Sequence, residues 1–257
     1  MNEAVRVESL TFQVDNELIL DNVNFSVDKN SIVGIIGPNG SGKTTMMKHF
    51  YRAIHPNVRT IFIDGKDIHN FSFCESAQKL SVMRQENPTD FRFSVLNMVL
   101  LGRSPYLKFF ESFTETDKKL AIEALERVGM AKQVNKDYRI LSGGEKQRVL
   151  IARSIVQQAD ILILDEPTNH LDVHYQWALM KMISELDKTV IAVFHDLNLA
   201  SKFCHKLFVV EKGKMIFGGT PEEVLTENLL SKVFGIKAKI IQEENRPYVL
   251  YKEAVGQ

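Results

Sequence analysis

Residues Gly37–Thr45 read GPNGSGKTT and carry the pattern G-x-x-x-x-G-K-[ST] between an apolar run and a helical period. Glycines let backbone N–H groups turn inward around an anion, and a helix N-terminus adds the positive end of its dipole. Gly37, Pro38, Asn39, Gly40, Ser41 and Gly42 would form the cradle. Lys43 would reach the β- and γ-phosphates, the Thr44 hydroxyl would ligate Mg²⁺, and Thr45, one residue deeper, would bond the α-phosphate. A glycine-rich turn is the bland alternative. The four defined positions match by chance in about one chain of this length in a hundred, and the strand–loop–helix context lowers that further. A nucleoside triphosphate site follows. Guanine is unsupported, because Asn135-Lys136-Asp137-Tyr138 puts the aspartate one position early for N-K-x-D.

A second group stands at the ends of apolar runs. Residues Ile161–Pro167, ILILDEP, place Asp165 and Glu166 where ligands bind in open α/β sheets. Asp165 suits Mg²⁺, and Glu166 suits a general base or water-orienting group. A strand-end pair that caps the next turn is the alternative. His195 follows Val190–Phe194 in the same manner and would hydrogen-bond the γ-phosphate and hold the attacking water, although a lone histidine is more often structural. His170 and His174 stand four apart, but Leu171 occupies the glutamate position of H-E-x-x-H, so a zinc hydrolase is not favoured.

A third motif, Leu141–Arg148 (LSGGEKQR), opens a helical period through Val149, Ala152 and Val156. Ser142 and Glu145 form a capping box. The box gives no reason for Gly143 and Gly144, which would bare backbone N–H groups at a helix N-terminus as a second anion surface. Two phosphate surfaces and one triphosphate pocket are reconciled by head-to-tail pairing of two copies. Each nucleotide would lie between one copy's Gly37–Thr45 and the other's Ser142–Gly144, and a two-fold dimer has two equal sites.

The elements that must position these residues are legible in the patterning. Val5 and Val7 alternate with Arg6 and Glu8, and Val23, Phe25 and Val27 with Asn24, Ser26 and Asp28, as in half-buried antiparallel strands. Ile32–Ile36, Ile161–Leu164, Val190–Phe194 and Leu207–Val210 are continuous apolar runs, as in parallel strands covered on both faces. Val173, Trp177, Met180 and Ile183 fall on one helical face, as do Ala121, Ala124, Leu125 and Val128 before Gly129. Thr220, Pro221 and Glu223 open a helix whose stripe is Val224, Leu225, Leu229, Val233 and Phe234. Between about Phe71 and Arg139 buried strands give way to helical periods, with Phe91, Phe93, Tyr106, Phe109, Phe110 and Phe113 crowded together. About half of these rings would be core; the others could form a groove for a partner's helix. Ile236–Tyr251 reads as two short strands. The expected fold is α/β: a P-loop core of mostly parallel sheet with helices on both faces, an N-terminal antiparallel β subdomain, and an inserted α-helical subdomain. Residues 1–70 and 140–257 would form the core and 71–139 the insert, within one domain of 257 residues.

Lys+Arg 32 balance Asp+Glu 32, and 44% of the residues are hydrophobic. This excludes a disordered chain and gives no general attraction to nucleic acid. Cys74 and Cys204 stand far apart, and a buried thiol is expected of each. The start, MNEAVRVESL, lacks a signal-peptide pattern, and no run approaches 18 apolar residues, so another chain would supply any membrane-spanning part.

The phosphate loop, LSGGE and ILILDEP, in that order, make the sequence resemble the nucleotide-binding subunits of ABC transporters over nearly its whole length. The resemblance implies ATP and Mg²⁺ as ligands. It implies Gln85, in MRQEN, as the glutamine that touches Mg²⁺ and water and senses the transmembrane partner, Leu171-Asp172 as the contact to the other ATPase copy, and His195 as the switch histidine. It places Phe12 where an aromatic ring stacks on adenine; packing is the alternative. Asn30-Ser31, Met46-Met47 and Glu145 depart from the commoner residues. Phe93 to Tyr106, with Gly102-Arg103-Ser104-Pro105, and the later GGTPEEVLT are similar to ATPases of iron–siderophore, haem and vitamin B12 importers. The resemblance implies an ATP hydrolase working as a homodimer on two integral membrane permeases, indirectly served by a substrate-binding protein, at the cytoplasmic face of the membrane. A zinc or manganese importer, an exporter, and a soluble ATPase acting on ribosomes or DNA are the alternatives, the last because TNHLD at Thr168–Asp172 resembles the translation-factor branch.

Overall fold

The computed structural model describes residues 2–84, 92–108, 110–169 and 171–254. Its contacts divide the chain into two compact units, Met1–Asn70 with Asp187–Gln257, and Phe71–Leu186.

The first unit opens with strands β1 (Glu3–Val14) and β2 (Glu17–Asp28), paired antiparallel so that Val5 faces Val27, Val7 faces Phe25 and Leu10 faces Val23. All six side chains are buried, as the alternation requires. β3 (Ile32–Ile36) is buried along its whole length and leads through the glycine loop into α1 (Lys43–Phe50). β4 (Ile61–Ile63) pairs with β1 and with β5 (Lys66–Asp67), giving the antiparallel order β2-β1-β4-β5.

The second unit begins with α2 (Phe73–Lys79), capped by Ser72 and Glu75, and strand β6 (Leu80–Met83). This strand corrects the expectation that buried strands are absent from residues 71–139. The fully buried Ser81 interrupts the apolar run, and its hydroxyl is satisfied by Gln157 Oε1 at 3.0 Å. Next come α3 (Val95–Leu100), a 3₁₀ turn at Leu101–Tyr106, α4 (Glu115–Arg127), α5 (Gly143–Val156), β7 (Ile161–Asp165) and α6 (Val173–Ser184). β6 and β7 pair in parallel. α4 buries Ala121, Ala124 and Leu125, and Gly129 turns the chain at φ +69°. Gly102 lets the 3₁₀ turn press on α5, since a Cβ there would stand 2.3 Å from the Arg153 carbonyl oxygen. Arg103 then braces three places at once, bonding Asp117 at 2.9 Å, the Val156 carbonyl at 3.1 Å and Gln158 at 3.0 Å.

The chain returns to the first unit with β8 (Thr189–Val193), α7 (Leu197–Phe203), β9 (Lys206–Glu211) and β10 (Lys214–Gly219). β8 and β9 flank β3 in parallel, and β10 adds antiparallel to β9. The expected single helix after Thr220 is two, α8 (Pro221–Val224) and α9 (Glu227–Phe234), because Thr226 caps the second by accepting from the Leu229 N–H at 3.2 Å. Val224, Leu225 and Leu230 are buried, while Leu229, Val233 and Phe234 are half-buried. β11 (Ile236–Glu243) and β12 (Arg246–Ala254) form a hairpin longer than the sequence suggests. The Asn198 amide of α7 clamps it, accepting from Val249 N–H at 2.7 Å and donating to Val249 O at 3.2 Å.

Two more expectations are corrected. Cys204 is buried, but Cys74, in the first turn of α2, is exposed. Met180 and Ile183 of α6 are buried, whereas Val173 and Trp177 are exposed, so only the later part of that stripe is core.

Candidate functional site

In the first unit the phosphate loop has the conformation its glycines permit. Gly37, Gly40 and Gly42 have φ of +153°, +76° and +101°. A Cβ at Gly37 would lie 2.0 Å from the Val210 carbonyl oxygen of β9, so this position excludes any side chain. Lys43 begins α1 and is nearly buried, its Nζ 2.8 Å from the carbonyl oxygens of both Gly37 and Pro38. That holds the ammonium over the loop. Ser41 is 4% exposed, and its buried hydroxyl has no hydrogen-bond partner among the described residues. Native structures seldom leave such a group unmet, so it fits a loop built to close on an anion. Thr44 and Thr45 occupy the first turn of α1 and are half-buried.

Phe12, on β1, meets the ring of His49 of α1 edge-on, centroids 5.0 Å apart and planes at 75°. His49 is buried, with Nδ1 2.8 Å from the Thr45 carbonyl oxygen, and burial holds its pKa below the ordinary value. His195 lies exposed just past β8, before Asp196, which caps α7 by accepting from the N–H groups of Asn198 and Leu199.

In the second unit Asp165 ends β7, and Asp165 and Glu166 are both nearly buried. Glu166 takes the left-handed region at φ +54°, where a non-glycine residue is strained. The Asn169 amide donates to Glu166 Oε2 at 3.1 Å. From α5, Gln147 donates to the Pro167 carbonyl at 2.8 Å. The helix that begins at the LSGGE motif therefore fixes the backbone behind the acidic pair. Gln147 was not singled out from the sequence; only its buried place on the helical face, four residues before Ile151, could have marked it.

Ser142 is the N-cap of α5, with the reciprocal bonds to Glu145 of a capping box, and the box draws the Glu145 carboxyl below its ordinary pKa. Gly143 and Gly144 are the first two helical residues. Gly143 is exposed and stands at the positive end of the helix. Asp172 caps α6, accepting from Tyr175 N–H at 3.0 Å, and is exposed. Gln85, Phe91, Phe109 and His170 lie outside the described residues. Of the other aromatic rings, Phe93 and Phe113 are half-buried, Tyr106 is exposed and Phe110 is 96% exposed.

Lysine, backbone donors and an orphaned hydroxyl suit a polyphosphate. For a hard cation such as Mg²⁺ the oxygen donors Thr44 and Asp165 are the right type. Among the described residues no group of three or more His, Cys, Asp or Glu gathers as a metal cage. Among the described residues no helix is long and apolar enough to cross a membrane.

Comparison with known proteins follows the same lines. Residues 20–169 match the family model described as ABC transporter. The chain is 35% identical over 91% of its length to the cobalamin import ATP-binding protein BtuD of Halobacterium salinarum, and spans 59% of that longer protein. It is 33% identical over 96% of its length, and 94% of the relative, to the iron(3+)-hydroxamate import ATP-binding protein FhuC of Bacillus subtilis. Among solved structures it resembles the dimeric ATP-binding cassette MJ0796 in a post-hydrolysis state with ADP and Pi, at a TM-score of 0.73 and 26% identity over 84% of this chain and 98% of that one. With a phosphate loop of this geometry, an acidic pair closing a buried strand and a match of this extent, the chain belongs to the ABC transporter family, with the fold of its ATP-binding cassettes.

Proposed function

We propose that this chain is the ATP-hydrolysing subunit that powers an ABC importer, and that the cargo is an iron(III)–siderophore, haem or cobalamin. The observation that carries the ATP-binding part is the cradle itself, in which Gly37 leaves no room for a Cβ and Lys43 is held over two loop carbonyls. Similarity to siderophore and cobalamin import subunits along most of the chain supports the cargo class.

The chain's own residues divide the work. Loop N–H groups from Gly37 to Thr45 and the Lys43 ammonium bind the phosphates and spread the charge that develops in transfer. Phe12 offers its ring to adenine. Glu166 takes the proton of the attacking water or orients it, with Asn169 fixing one carboxylate oxygen. His195 and Gln85 steady the γ-phosphate and the water. Thr44, Asp165 and Gln85 would hold Mg²⁺, which would supply neutralisation of phosphate charge.

Two copies work as a pair, with Ser142, Gly143, Gly144 and Glu145 of one copy completing the pocket of the other and Asp172 meeting it. The match to a dimeric cassette supports this arrangement. Residues 71–139 serve as the helical subdomain that docks on integral membrane permeases, so the chain sits on the cytoplasmic face through them, and the substrate-binding protein acts at a distance.

Uptake of ferric hydroxamates, haem and cobalamin in a strain lacking this chain tests the cargo. Loss of one of the three, restored by the wild-type chain and not by Glu166→Gln, is expected. Normal uptake of all three refutes the cargo assignment.

A further inference from the structure

Three helices of the Phe71–Leu186 unit line a half-open cavity of about 230 Å³ that no step of the proposed hydrolysis uses. Its wall includes Arg127 and Val128 at the end of α4, Arg148 on α5, and Tyr175, Leu179 and Met182 on α6. Val128 and Leu179 are buried, and Met182 is half-buried. The Arg148 guanidinium lies over the Tyr175 ring, 4.0 Å from its centroid. Arg148 Nε is buried with no hydrogen-bond partner among the described residues. Neither arginine has an ion-pair partner among those residues, and no carboxylate lines the cavity.

This combination is unusual for a core. A buried donor without an acceptor costs as much as a lost hydrogen bond. The Glu145 carboxylate acts on Arg148 through space, while Arg127 brings to the apolar wall a second cation with no ion-pair partner among the described residues. Fork-shaped guanidinium donors match a carboxylate, while the Val128, Leu179 and Met182 surface matches hydrocarbon. A cavity of about 150 Å³ accepts benzene, so this one takes a six-carbon body with its acid group. We propose that the cavity binds a small amphiphilic monoanion, its carboxylate between Arg127 and Arg148 and its apolar body against Val128, Leu179 and Met182. The site is independent of the ATPase assignment. Its position gives it a consequence, since α5 starts at the LSGGE motif and α6 at Asp172, and an occupant would brace one helix against the other.

Calorimetric titration of hexanoate into the full chain tests this, with the fluorescence of Trp177, the single tryptophan and a resident of α6, as the locator. Saturable binding at about 1 mM or tighter is expected, with a fluorescence change of the same midpoint. Hexan-1-ol, which lacks the charge, and acetate, which lacks the body, should bind at least about tenfold more weakly. Arg127→Ala and Arg148→Gln should each weaken hexanoate by about tenfold or more. Arg127 is exposed at the end of α4, so its variant keeps the fold and decides the matter if Arg148→Gln does not fold. Lys43→Ala should leave the titration unchanged. Absence of saturation, equal affinity for hexan-1-ol, or wild-type affinity in Arg127→Ala overturns the proposal. So does loss of binding in Lys43→Ala alone, which would put the anion in the phosphate loop.

Discussion

Gln147 on α5 donates its amide to the carbonyl oxygen of Pro167 at 2.8 Å, tying the helix that opens at Ser142 to the backbone that carries Glu166. A buried carbonyl left without its donor costs about 1–3 kcal/mol. Gln147→Leu should lower unfolding stability by that amount in a urea titration. Turnover should fall by about 10–100-fold, because a small displacement of the base near the reacting water is expensive. Wild-type turnover in a folded Gln147→Leu chain would show that the bond does not position Glu166.

Glu166→Gln removes the proton acceptor while keeping shape and the partnership with Asn169. Turnover should drop by about 10²–10⁴, with ATP affinity retained. Single-turnover hydrolysis beside an equilibrium binding measurement separates the two. Near-normal hydrolysis by a clean preparation would assign the base elsewhere.

Two glycines of one loop should respond differently. At Gly37 a methyl group would strike the Val210 carbonyl at 2.0 Å, so Gly37→Ala should abolish measurable nucleotide binding. At Gly40 nothing lies within 4 Å of the added Cβ, and only the left-handed φ of +76° resists it. Gly40→Ala should therefore cost about 1–2 kcal/mol of stability and leave binding within about tenfold. Equal losses in the two variants would contradict the packing explanation.

His49 gives a pH dependence with a defined sign. Burial lowers its folded pKa below 6.5, so the unfolded chain takes up a proton that the folded one refuses. Its contribution makes stability fall as pH drops through about 6.5 toward the lower folded value, and recover as pH rises. Comparing urea midpoints at pH 7.5 and pH 5.5 should show a smaller drop in His49→Asn than in wild type. An unchanged slope would remove His49 as the cause.

The chemistry-bearing loops were the most legible part of the sequence, because Ile32–Ile36 and Ile161–Leu164 are pure apolar runs ending at residues with no packing use. Strand β6 was hidden since its Ser81 finds a partner only in Gln157, far along the chain. Val173 and Trp177 share a helical face with Met180 and Ile183, and periodicity cannot tell which turns of a helix have a neighbour. Gly102-Arg103 looked like a subgroup mark. The structure gives it a mechanical reason, close approach to α5 and a three-way brace, which depends on residues 14 to 55 positions away.

Glu166 holds a backbone shape that a glycine would adopt without effort. Selection for heat resistance alone would thus favour giving up the carboxylate there, and selection for fuel use would restore it. At this one position durability and work pull in opposite directions, so a hardy variant found by thermal screening is the one whose motor should be checked first.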